Sequence, residues 1–319
     1  MQAFIDLFDQ LQQRLYEGVV QPLMYWLGLA SLLEDGYLAT GWLMVGMIEI
    51  VVMLTLFRAL ERWRPVEAVT DRAAIRVDIV YTLIHRLGLF RLALFFTVDP
   101  LWDEMIGRLR VEGLPTFQLD QLWPGVTDNA VVSFVLYLVM FDLLGYWLHR
   151  AQHQFNWWWQ LHALHHSQRQ MTLWSDNRNH LLDDLIMDSV MVIVALLVGI
   201  PPGQFVAVVA CTQLLQSLAH ANVRLSFGPL ERLFVSPRFH RLHHSIGIGH
   251  ESNGRGTLGG HNFAVLFPMW DMLFGTASFA DRYDATGIRD QLAEEGGRDY
   301  GRGFWAQQWL GVKRLFGRG

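Results

Sequence analysis

Three long, mostly apolar runs decide what this chain can become: Tyr37–Phe57, Ile79–Val98 and Ala130–Leu148. A helix needs about 20 such residues to cross the hydrocarbon core of a bilayer, where the backbone must satisfy its own polar groups. Two shorter runs come next, Leu185–Ile200 and Phe205–Ala219. Pro201-Pro202-Gly203 separates them and reads as the tight turn of a helical hairpin. Composition agrees: 52% of the 319 residues are hydrophobic and 17% charged, with 13 Trp and 20 Phe, far more apolar surface than one water-facing core can hide. The expected fold class is an all-α integral membrane protein.

Charge sets an orientation. Arg58, Arg62, Arg64, Arg72 and Arg76 crowd the segment after the first run, and such an excess marks the cytoplasmic side. The segment from Asp99 to Asp128 is acidic and reads as a loop on the opposite side. The third run then returns to the cytoplasm with His149 at its end, and the hairpin brings His220 back to the same face. Met1–Leu33 has no basic start or small-residue cleavage site, so no signal peptide is expected. Its Phe4, Leu7, Phe8, Leu11 and Leu15 recur at helical spacing, which fits a helix lying on the membrane or packing on the protein's own spans. The net charge of −5 and the scattered arginines fit lipid headgroups better than nucleic acid, and none is expected as a partner.

Eight histidines stand in three blocks: His149 and His153; His162, His165 and His166; His240, His243 and His244. On helices the first block places two imidazoles at i and i+4, and each of the others places three at i, i+3 and i+4 on one face. Neutral imidazole is a common ligand of Fe, Zn, Cu and Ni. Eight are too many for one tetrahedral ion, which takes about four, and about right for two metals. Cys211 is the only cysteine, so neither an intrachain disulfide nor a thiolate site is available. Asp142 lies seven residues before His149 on the same helix face inside a span, where a carboxylate is costly and usually functional; it is read as a metal-shell or helix-packing partner. Asp183, Asp184 and Asp188 are weaker candidates of the same kind. Ser236-Pro237 has the form of an N-cap followed by Pro at the first helical position, starting the helix of His240. Trp157-Trp158-Trp159 suits an interfacial belt or plain packing. His85 and His250 carry no signal of their own.

These motifs together resemble the fatty acid hydroxylase/sterol desaturase superfamily of integral-membrane di-iron enzymes. The resemblance rests on H-R-x-x-H at His149–His153, H-x-x-H-H-S at His162–Ser167 and S-P-R-x-H-x-x-H-H-S at Ser236–Ser245. Asn262-Phe263, followed by Trp270-Asp271 through Thr276, resembles its closing signature. The resemblance implies about four to five transmembrane helices under a cytoplasmic helical cap that holds a dinuclear metal site. It implies two iron ions, O2 as co-substrate, and His149, His153, His162, His165, His166, His240, His243 and His244 as ligands. His220 matches the place of a ninth ligand, and Gln216, one turn earlier, would reach a metal through water. Arg178-x-His180 partly matches a further family stretch, giving His180 an outer-shell or substrate-contact role. The segment from Gly247 to Gly260 is longer and richer in Gly than the family's usual link, fitting a lid, a substrate-headgroup contact or a plain connection.

The implied organisation is 1–35 interfacial, 36–135 first spans, 136–278 catalytic and 279–319 a polar tail. The implied activity is hydroxylation of a C–H bond in a fatty acyl, sterol-like or polar lipid, with desaturation at the same site as the alternative. A zinc hydrolase lacks its H-E-x-x-H base here, because Arg150, Ala151 and Gln152 fill the intervening places. A structural metal protein is the remaining rival. With no C-x-x-C and no G-x-G-x-x-G in the chain, electrons are expected from a separate ferredoxin- or cytochrome-type donor on the cytoplasmic side. The expected location is the inner or plasma membrane if the source is bacterial.

Overall fold

The computed structural model describes residues 2–318, with side chains from residue 5 onward. The side chain of Phe4 lies outside the described residues. Among those described, every regular element is a helix, and the one β-type contact is an isolated antiparallel bridge between Ser245 and Thr286. The helices are α1 (Gln2–Leu15), α2 (Gln21–Trp26), α3 (Ala30–Trp63), α4 (Arg72–Arg86), α5 (Leu89–Thr97), α6 (Asp99–Val111) and α7 (Ala130–Gln154). They continue with α8 (Asn156–His166), α9 (Leu181–Val198), α10 (Pro202–His220), α11 (Pro237–His243), α12 (Met269–Leu273) and α13 (Phe304–Leu315).

Among the described residues two helices, α3 and α7, are long and apolar enough to cross a membrane, or three spans if α4 and α5 count as one. At about 1.5 Å per residue, the 34 residues of α3 reach well beyond a bilayer core of about 30 Å. Its far end enters the polar part of the molecule, where Glu61 accepts backbone N–H bonds from Leu173 at 2.8 Å and Asn222 at 2.9 Å. Asn129 starts α7 by accepting from Val131 and Val132 N–H.

The second apolar run is not the straight span expected. It breaks at Leu87-Gly88, and α4 and α5 meet at 49° because Gly88 takes a left-handed conformation, φ 74°, open to residues without a Cβ. The acidic segment after it is not a loop throughout, since Asp99–Val111 is helical, with Pro100 in its first turn. The break between the last two runs falls earlier than expected: Gly199, also left-handed, ends α9, while Pro202 and Gly203, expected in the turn, are the first residues of α10. On α1, Leu7 and Leu11 are exposed while Gln12 and Tyr16 face α3, with Gln12 bonding the Tyr37 carbonyl and Tyr16 that of Leu33. Leu7 and Leu11 therefore point away from the protein's own spans, while Phe8 and Leu15 are half-buried on the side of Gln12.

The C-terminal stretch expected as a polar tail also folds. Helix α13 lies against α8, and Gln308 bonds the Tyr81 hydroxyl, the Asn179 carbonyl and the Leu181 N–H.

Candidate metal centre

Four helix ends converge on one buried spot. The last turns of α7 carry His149 and His153; α8 carries His162, His165 and His166; α10 ends on His220; α11 carries His240 and His243, with His244 as its C-cap. Helix α11 starts as its sequence promised, with Ser236 accepting the Phe239 N–H at 3.1 Å and Pro237 at the first position.

The nine imidazoles sort into two groups, each with its nitrogens within 4.8 Å of one another: His149, His153, His162, His166 and His243 in one, His165, His220, His240 and His244 in the other. Both H-x-x-H-H triplets are split between groups, in opposite senses. Helix α8 gives its i, i+4 pair, His162 and His166, to the larger group and His165 to the smaller. Helix α11 gives His240 and His244 to the smaller group and His243 to the larger. Each triplet therefore ties the two groups together.

In the larger group the rings are held from behind. His149 Nδ1 donates to the Phe263 carbonyl at 2.8 Å, His153 Nδ1 to that of Gly259 at 3.2 Å and His243 Nδ1 to that of His261 at 2.8 Å. His162 Nδ1 donates to Asp183 at 3.0 Å. A proton fixed on Nδ1 leaves the Nε2 lone pair free, and the Nε2 atoms of His153, His162 and His243 are buried with no partner. Buried polar atoms are normally satisfied, so unpartnered nitrogens on converging rings mark the place of a cation.

The smaller group makes the same point by distance. His220 Nε2 lies 3.1 Å from His165 Nε2 and 3.0 Å from His240 Nε2, and His240 Nε2 lies 3.1 Å from His244 Nε2. A tetrahedral ion with bonds of about 2.0–2.1 Å spaces its ligand atoms by about 3.3–3.4 Å, close to what is found. His220 has its Nδ1 proton on the Gln216 carbonyl, 2.8 Å away, so mutual hydrogen bonds can satisfy these nitrogens only in part. One cation would satisfy all four. Both histidine groups therefore fit a metal ion.

Burial, and after it the neighbouring imidazoles, push His165, His166, His240, His243 and His244 well below the usual histidine range. They are neutral at pH 7, the form that binds metal.

The acidic candidates take distinct places. Asp183 is the one that touches a histidine of either group; its oxygens also accept from Gln152 at 2.7 Å and Trp158 at 2.6 Å. Asp142 contacts no imidazole. It accepts from Leu266 N, Phe267 N and Trp270 Nε1, tying α7 to the segment that supplies the Phe263 carbonyl. Asp271 grips the same segment through Phe263 N, Ala264 N and Thr276 Oγ1. The closing signature is thus a clamp behind His149.

His180 faces neither group, because it caps α9 through Nδ1 while Nε2 bonds the Gln308 carbonyl. A helix start had to be closed there, and its imidazole does so. Gln216 bonds the site through its backbone and lines the adjoining cavity. Trp158 and Trp159 are buried beside the histidines and only Trp157 is exposed. The Gly-rich segment is no free connection: its Gly259 carbonyl orients His153, and Glu251 pairs with Arg289 through two bonds. Gly249 and Gly260 pack so tightly that a Cβ would lie 2.0 Å from the His243 carbonyl oxygen or 2.3 Å from that of Gly249. His250, passed over in the sequence, is buried against His166 and Trp159; burial pushes it down to about 4, and neither ring nitrogen has a partner.

A membrane protein with two converging histidine groups is the class that this geometry defines. Residues 134–276 match the family model described as fatty acid hydroxylase. It is 29% identical to the ornithine lipid hydroxylase of Rhizobium tropici over 247 residues, 77% of this chain and 70% of that protein. The human alkylglycerol monooxygenase is 32% identical over 135 residues, 42% of this chain but 28% of that longer protein. A Delta(7)-sterol 5(6)-desaturase of Gibberella zeae is 28% identical over 113 residues, 35% of each chain. No solved structure matches. By name these relatives are a lipid hydroxylase, a monooxygenase and a sterol desaturase.

Proposed function

We propose that the protein is a di-iron oxygenase that hydroxylates a C–H bond of a membrane lipid. The observation that carries this is the pairing of two imidazole groups, each able to hold one ion, at the end of a cavity that enters the apolar bundle. His149, His153, His162, His166 and His243 would hold one iron and His165, His220, His240 and His244 the other. When bound and reduced, the irons supply the O2 activation needed to attack an unactivated C–H bond.

The chain's own residues do the rest. Asp183 and the carbonyls of Phe263, Gly259 and His261 keep the Nδ1 protons in place, so that Nε2 stays directed at the metals. The spans exclude bulk water and admit the lipid. The hairpin α9–α10 completes a bundle of four to five transmembrane helices, with the histidine cap on the cytoplasmic side, where the Arg-rich end of α3 also lies. A separate donor delivers electrons to that face. The similarity to one lipid hydroxylase over 77% of the chain supports hydroxylation ahead of desaturation, which the sterol desaturase likeness keeps as the second reading.

The test is to express the protein with a reducing system under 18O2 and to analyse membrane lipids by mass spectrometry. A lipid carrying one 18O atom is expected. A lipid that loses two hydrogens without label would shift the assignment to desaturation, and an unchanged lipid profile would contradict both.

A further inference from the structure

A cavity of about 320 Å³ runs from the histidine groups into the bundle between α3, α4, α9 and α10, large enough for a small-molecule group. A cavity for an acyl tail alone would be apolar. This wall carries Glu49, Asp176, Asp184 and Asp188.

Its cations are already engaged. Arg86 is buried and bonds Glu49, Asp176, Ser217 and the Gln213 side chain and carbonyl at 2.7–2.9 Å, and Arg91 pairs with Asp99 at 2.8 Å. His85 stands 3.3 Å from Asp184. Asp188 has no hydrogen-bond or ion-pair partner among the described residues. Glu49 is only 4% exposed, yet its Oε1 has no partner. Carboxylates at this depth normally carry a counter-ion or a function. The wall therefore holds more negative charge than its own cations offset, and an anionic head group would be repelled.

We propose that this cavity receives the amine-bearing head group of a lipid, with its ammonium seated among Asp188, Asp184 and Glu49. Oxidation of the bound lipid rests on the lipid-oxygenase reading; binding itself does not. Asp188 lies five residues along α9 from Asp183, the carboxylate behind His162, which is about 7.5 Å of helix. The C–H bond offered to the metals is therefore in the head group or beside it, not far down an acyl tail.

The test uses the full chain in detergent with N-decanoyl-lysine methyl ester and its Nε-acetyl counterpart, which keeps the tail and removes the charge. The wild type should bind the free amine at least tenfold tighter, and Asp188→Asn should level the two. Asp188→Glu should keep the preference, with metal content and elution volume unchanged in both variants. Equal binding of the two probes by the wild type, or a preference that survives Asp188→Asn, would overturn the proposal. Butylamine binding as tightly as the tailed amine would overturn its assignment to a lipid. A wild type that binds the aminolipid yet consumes no O2 when reduced would contradict the oxygenase reading and leave the head-group site intact.

Discussion

A ring nitrogen faces a metal only if something else holds the proton on the other nitrogen. Asp183 does this for His162 while accepting from Gln152 and Trp158, so three donors depend on one carboxylate. Asp183→Ala leaves all three unpaired in a buried site, at about 1–3 kcal/mol for each unsatisfied group. The expected result is a clear fall in melting temperature and preferential loss of the metal held by the larger group, read by metal analysis. The histidines that cluster in the two groups were legible in the sequence because i, i+3, i+4 spacing on a helix is a local property. The acceptors behind them were not: the carbonyls of Phe263, Gly259 and His261 come from a distant segment, and backbone atoms leave no mark in residue types. Asp183 was visible as one of three acidic candidates, and only packing separates its part from that of Asp184 or Asp188. His180 misled for a local reason, since a histidine before a helix is also a cap.

At the scale of helices, the bundle depends on close approach at particular glycines. A Cβ on Gly46 in α3 would lie 1.6 Å from the carbonyl oxygen of Arg86 at the end of α4, so Gly46→Ala must push the two helices apart. Overpacking of this kind costs about 1–3 kcal/mol, and here it also disturbs the buried Glu49–Arg86 pair. Gly107→Ala in α6 meets nothing within 4 Å and should gain up to about 1 kcal/mol in helix propensity. Thermal unfolding of the two variants in one detergent should move in opposite directions. The spans were legible because apolar runs of this length have few other uses. The bend at Gly88 was not, because one glycine in an apolar run is compatible with a continuous helix. Helix α13 was missed because the stretch from Ala280 onward is polar and rich in Gly and Arg, although Gln307, Gln308 and Arg314 are buried against the rest of the protein.

For the molecule as a whole, the arrangement amounts to two histidine groups, each able to hold a metal ion, joined by shared helices. Because each H-x-x-H-H triplet contributes to both histidine groups, neither position can form without α8 and α11 correctly set against α7 and α10. That interlock was foreshadowed by the duplicated motif, but the split of five and four histidines needed the three-dimensional arrangement. The most direct measurement is the metal content of the purified full-length protein beside His165→Ala and His243→Ala, which remove one imidazole from the smaller and the larger group respectively. The account predicts about two irons per chain in the wild type, given about four or more ligands for each ion, and reduced iron in both variants. A single tightly held zinc, with iron failing to load, would contradict it.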